Sequence, residues 1–219
     1  KLLKEHPGDV EAKDLYKRSG EWCVENGDII TGLKYFLKAG RYDLIMQEFE
    51  KSHFTQVLDS NSGYVLELFN DIPVEERYRH PIGYIAYAGF YVTNVDIEKG
   101  EQLLSEIEQY YLNDGSVSAH MKRCISGELE LIRCYMNFND VCKMHANLKK
   151  AHYLLEGRSQ IASKEKIVTF GSPHILYLYY REKGKMKWTV DYLDGMFFYY
   201  MEMAGGCGKG FEDQLRAEY

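Results

Sequence analysis

The sequence predicts an all-α fold of helical hairpins, and three observations carry that reading. Apolar residues recur at three- and four-residue steps along much of the chain, the spacing that puts one stripe on one helix face. Only four of 219 residues are proline, and the alternating β-branched runs that mark strands are scarce. A pattern of turn, small and apolar residues also returns four times.

The four stretches are CVENGDIITGLKYFLKA from Cys23, YVTNVDIEKGEQLLSEI from Tyr91, YMNFNDVCKMHANLKKA from Tyr135 and YREKGKMKWTVDYLDGM from Tyr180. Five residues into each stand Asp28, Asp96, Asp140 and Lys185. An aspartate there can cap the free N–H groups of a second helix. Gly32, Gly100, Met144 and Thr189 follow at the point where two helices would cross, and a small residue there lets them approach. Phe36, Leu104, Leu148 and Leu193 come next, then Ala39, Ile107, Ala151 and Met196, completing one buried stripe. Gly27 and Gly184 occupy the turn, where positive φ is easiest.

Helices are accordingly predicted over 9–26 and 28–39, the first hairpin, and then over 41–51 and 62–70. The second hairpin is 82–94 with 96–112, and the third is 117–137 with 140–156. The fourth is 174–183 with 186–204, its first helix delayed by Pro173. A last helix spans 209–219. Asn70–Pro81 reads as a seam between two domains, 1–72 and 73–219. Gly157–Pro173 reads as the longest irregular connection, with 167–170 extended.

The repeated spacing resembles the tetratricopeptide (TPR) signature. Tyr16 and Gly20 fit its upstream half in the first copy, and Tyr84, Tyr87 and Ala88 in the second. The third copy supplies Leu131 but has Glu128 where an aromatic is expected. The later copies repeat every 44 and 45 residues against about 34 for a TPR, so the hairpins are elongated or separated by loops. The resemblance implies a right-handed α-α superhelix of TPR-like hairpins. Its first helices would line a concave face, placing Arg133 and Asn137 from the third copy and His174, Arg181 and Glu182 from the fourth. Tyr177 lies nearby as an aromatic wall, and the guanidinium pair suits anionic or polyhydroxyl ligands.

The sequence offers little support for other chemistry. A net charge of −6 offers no basic face for nucleic acid, and no apolar run reaches the roughly 20 residues that span a membrane. The five cysteines form no C-x-x-C pair and read as reduced, cytosolic thiols. The glycine-rich GGCGKG at 205–210 fits neither phosphate-loop spacing, and it follows a helical stripe instead of a strand, so it turns a corner. Cys142 and His145 could share a helix face, but His152 lies too far on to join the same metal. Glu75 with Glu76, and Glu128 with Glu130, fit solvated helix faces better than acid/base pairs. No cofactor, metal or catalytic group is therefore expected.

The run LYKRSGEWCVENGDIITGLKYFLKAGRYDLIMQEFE, residues 15–50, resembles the segment that opens the superhelical domain of large LuxR-type transcriptional regulators of the MalT kind. Trp22, Asn26, Gly27, Tyr35, Ala39 and Gly40 carry the match. Residues 169–219 are similar to a second stretch of that family. The resemblance implies the sensor superhelix of a signal-transduction ATPase, with a winged helix before residues 1–72 and a DNA-binding domain elsewhere. The first residue is Lys1 and no signal peptide follows, which fits a piece of a longer chain. The expected partners are a small-molecule inducer or a regulatory protein, with self-association and no direct DNA contact, in the cytoplasm. A free-standing TPR adaptor for a peptide or protein is the alternative. Phe211 and Leu215 are expected to lack cover, because the helix that would pair with 209–219 is absent.

Overall fold

The computed structural model describes residues 9–51, 62–137, 140–162, 180 and 182–218. The expectations on His174, Tyr177, Arg181, Pro173 and residues 167–170 lie outside the described residues. Within them the protein is all-α. Its helices are α1 (Asp9–Glu25), α2 (Ile29–Ala39), α3 (Tyr42–Phe49), α4 (Ser62–Asp71), α5 (Val74–Arg79) and α6 (Pro81–Asn94). They continue with α7 (Ile97–Asn113), α8 (Ala119–Met136), α9 (Val141–Leu155), α10 (Lys185–Met203) and α11 (Phe211–Glu218), and no strand occurs among the described residues. The chain falls into two compact units, Lys1–Tyr84 and Ile85–Tyr219.

In the first unit α1 and α2 form an antiparallel hairpin through Gly27, whose φ of 83° is left-handed. Asp28 caps α2 by accepting the Thr31 N–H at 3.2 Å. The two helices touch through glycines. A Cβ on Gly20 would stand 2.6 Å from the Phe36 ring, and one on Gly32 would stand 3.1 Å from the Gly20 carbonyl. Phe36, Ile45, Phe49, Leu68 and Phe69 build the core beneath, with Phe49 edge-on to Phe69 at 5.9 Å.

Within the seam predicted over 70–81 lies the short helix α5. Glu75 and Glu76 in its first turn and Arg77 and Arg79 in its last complement the helix dipole. Arg77 donates from Nε to the Ile72 carbonyl at 2.9 Å and lies 4.5 Å over the Phe69 ring. Six residues cannot hold a helix by propensity alone, so this tertiary anchor decides it.

In the second unit the hairpin logic recurs. Asp96 caps α7 by accepting from the Glu98 and Lys99 N–H groups, both at 3.0 Å. Asp140 caps α9 through the Lys143 N–H at 3.1 Å. Gly100 packs on the backbone of α6: a Cβ there would stand 3.0 Å from the Val92 Cα and closer still to its side chain. Between α8 and α9 the small residue sits on the first helix, where a Cβ on Gly127 would meet Leu155 at 2.6 Å. Leu148, Ala151, Leu193, Met196 and Met203 carry the core from α9 into α10. Thr189 is wholly buried and donates its hydroxyl to the Lys185 carbonyl at 2.9 Å.

Residues 204–210 turn the chain from α10 into α11, with Gly205, Gly206, Gly208 and Gly210 all at positive φ. The turn folds α11 back on α10. Leu215 is therefore fully buried, and Phe211 packs on Phe197 with the rings tilted and 5.4 Å apart. This corrects the expectation that both lack cover: the preceding helix supplies what a following one was thought to. All five cysteines are free thiols, and no described helix is long and apolar enough to cross a membrane.

Two glycines give opposite tests of this packing. Gly100→Ala should destabilise the protein by about 1–3 kcal/mol through overpacking against α6, read as a lower urea midpoint. Gly195 lies within α10 with nothing within 4 Å of a Cβ. Gly195→Ala should therefore raise stability by up to about 1 kcal/mol through helix propensity.

Candidate functional site

Glu101 and Glu108 stand seven residues apart on α7, so they share one face. Opposite them on α8, Arg133 takes both. Its Nη2 donates to Glu108 Oε2 at 2.6 Å, and its Nε lies 3.5 Å from Glu101 Oε1. Arg133 Nη1 also donates to Glu130 Oε1 at 3.3 Å, one turn back on the same helix. From α9, Lys150 Nζ reaches Glu130 Oε1 and Asn147 Nδ2 reaches its Oε2, each at 2.8 Å. Asn137 completes the cluster, donating to Asn147 Oδ1 at 3.0 Å and to the Arg133 carbonyl at 3.0 Å.

The cluster ties three helices together around a carboxylate that is only 4 % exposed. Burial alone would raise the Glu130 pKa, but the hydrogen bonds from Lys150 and Asn147, with the nearby charges, hold it below the usual range. Burial likewise acts to lower Arg133, and its bond to Glu108 with the surrounding carboxylates outweighs that and raises it. A carboxylate held ionised by cations is the opposite of a general acid, which needs a raised pKa. The arrangement suits binding and cohesion.

Of the residues expected on the concave face, the structure brings Arg133 and Asn137 together through Glu130 and Asn147. Arg133 already spends its guanidinium on carboxylates of its own chain. Glu182 is exposed in the turn before α10, where its carbonyl accepts the Lys185 N–H at 3.0 Å. Sequence reasoning missed Glu101, Glu108, Asn147 and Lys150, and it placed Glu128 and Glu130 on a solvated face. Both glutamates are in fact buried. Glu128 accepts from the Ser159 hydroxyl and the Gln160 N–H, each at 2.6 Å, and so pins the segment after α9 onto α8. The only hint in the sequence is their place inside the apolar run GELELIRC.

The histidines of α9 belong to an aromatic seam with α10. His145 meets Tyr192 edge-on at 5.1 Å and Tyr199 at 5.7 Å, and His152 meets Tyr199 at 5.2 Å. His152 Nε2 lies 2.6 Å from Glu202 Oε2. Burial first, and the Lys149 charge next, hold His145 below the usual histidine range. Deeper in, burial pushes the Cys134 thiol up to about 12, so it is no nucleophile at neutral pH. Among the described residues no three His, Cys, Asp or Glu side chains are grouped to hold a metal ion.

Comparison with protein-family models, with curated proteins and with solved structures finds no match to this chain.

Two tests follow from these geometries. Glu130→Ala removes the acceptor that Arg133, Lys150 and Asn147 share, while Arg133 keeps Glu101 and Glu108, and should cost about 1–3 kcal/mol in urea unfolding. Because Glu130 has a depressed folded pKa, its contribution is present above the ordinary glutamate pKa and fades as pH falls through the folded value. The Ala variant should therefore show a shallower acid loss of stability than the parent. His145 also has a depressed folded pKa, so its neutral form fits the fold above about pH 6.5 and the fold weakens as acid protonates it. His145→Gln should flatten the melting temperature between neutral and mildly acid pH, measured by circular dichroism.

Proposed function

We propose that the chain is a TPR-like helical-repeat scaffold, a right-handed superhelix that serves as the sensor and regulatory region of a LuxR-type, MalT-like transcriptional activator. The observation that carries this reading is the recurrence of one device. Asp28, Asp96 and Asp140 each cap the second helix of a hairpin, and close glycine contacts join helices in those hairpins. Repeated hairpins build surfaces for binding. The residues matching the family's opening segment, Trp22 to Gly40, lie on the first of these hairpins.

In this reading a small-molecule inducer or a regulatory protein binds the scaffold, in the cytoplasm, and biases the activator between a closed and a self-associated state. Such a ligand acts only through its preference for one state. The cluster around Arg133 is a fitting point of leverage, since it joins three successive helices by charged bonds that a ligand can exchange. The scaffold itself needs no cofactor and leaves DNA to another part of the activator.

The test is made in the full-length parent protein. Its reading frame should carry a nucleotide-binding motif before this region and a helix-turn-helix after it. Arg133→Ala and Arg181→Ala should each abolish transcriptional induction while basal promoter binding stays unchanged; Arg133→Ala should also lower the melting temperature, because it leaves Glu101 and Glu108 without their cation. Normal induction in both variants, or a parent frame without either flanking motif, would overturn the assignment.

A further inference from the structure

Helix α1 carries two stripes. Tyr16, Gly20 and Cys23 face α2, where Tyr16 stacks on Tyr35 and Gly20 lets the backbones touch. On the opposite side Glu11, Leu15, Arg18, Trp22 and Glu25 follow one another at steps of four and three residues, so they too share one face. All five are exposed. Leu15 stands 54 % and Trp22 64 % open to solvent. A lone exposed leucine is ordinary, but tryptophan is highly buried on average, and here most of it is left bare.

The charges on this face are left over as well. Lys17 and Glu21 pair to one side of it, at 3.2 Å. Arg18 and Glu25 take part in no ion pair or side-chain hydrogen bond among the described residues. They lie seven residues apart, with Trp22 between them. Two copies of α1 laid antiparallel with Trp22 at the two-fold axis set position 18 of each against position 25 of the other. Arg18 then meets Glu25 of the partner subunit, the reverse pair follows by symmetry, and the two indoles cover each other. Other registers fit worse. Centring midway between Leu15 and Trp22 sets arginine against arginine and Glu11 against a glutamate, and like charges so placed are costly. Centring on Leu15 carries Trp22 past the end of the other helix, since α1 begins at Asp9.

We propose that the outer face of α1 is the contact between two copies of this chain, an antiparallel helix pair centred on Trp22 and held by reciprocal Arg18–Glu25 ion pairs. The proposal rests on the self-associated state in the function proposed above and names its surface. A patch complementary to itself is the condition of a two-fold dimer. The aromatic anchor supplies affinity, and the flanking charges fix register. One helix face buries little area, so the dimer is weak and concentration-dependent.

The test is sedimentation equilibrium of the whole chain over a concentration series, without inducer or promoter, so that its failure leaves the induction experiment standing. A reversible monomer–dimer equilibrium is expected. Trp22→Ala should weaken it about tenfold or more. Arg18→Glu and Glu25→Arg should each weaken it by setting like charges opposite one another, and the double swap should restore it. Glu11→Arg, on the same stripe but outside the pairing, should leave it unchanged. These side chains are all exposed, so the circular dichroism spectrum should stay that of the parent. A chain still monomeric at about 1 mM, a dimer indifferent to Trp22→Ala, or single swaps that the double swap fails to rescue would overturn the proposal. Loss of the dimer in Glu11→Arg would overturn the register. Oligomers growing past the dimer would overturn the two-fold pairing, because a head-to-tail contact is what builds them.

Discussion

At the crossing of Gly100 with Val92 there is no room for one further carbon atom, and that contact governs how these hairpins are built. Backbones that touch must cross at a fixed point, since sliding by a residue would drive a side chain into the partner. The crossing then sets which apolar positions face inward. Gly20 with Gly32 imposes the same condition on the first hairpin, and Gly127 under Leu155 on the third. Dispersion between such close surfaces is large in sum, although each pair of atoms contributes about 0.1–0.2 kcal/mol. The aspartate caps act alongside by ending the turn at a defined residue.

Close packing alone leaves successive helices with little to specify their neighbours, and buried charge supplies part of that. Glu130 lies under three helices with every oxygen engaged, and Glu128 holds the segment after α9. Burying a carboxylate is costly unless each lone pair finds a donor, so only one arrangement of donors is tolerated. The bonds around Glu130 are charged and, at Lys150, reachable from solvent, so they can exchange partners where an aliphatic contact cannot.

The glycine turn at 205–210 shows how a local conformation serves a distant contact. The left-handed φ values of Gly205, Gly206, Gly208 and Gly210 make the reversal that folds α11 onto α10, and that reversal buries Leu215.

The sequence by itself determined what short-range physics controls. Helix bounds follow from apolar steps of three and four residues, the caps from Asp28, Asp96 and Asp140, and the corner at 205–210 from its glycines. Each depends on groups within about one turn of chain. The tertiary structure alone decided the rest. Glu130 meets Lys150 across 20 residues, and Glu128 meets Gln160 across 32. A glutamate in a helix reads the same whether water or a lysine from another helix satisfies it, so Glu128 and Glu130 looked solvated. Arg133 read as a free guanidinium because its partners Glu101 and Glu108 lie on the preceding helix. The helix α5 and the cover over Leu215 were hidden for the same reason: both depend on contacts made only once the chain has folded back on itself.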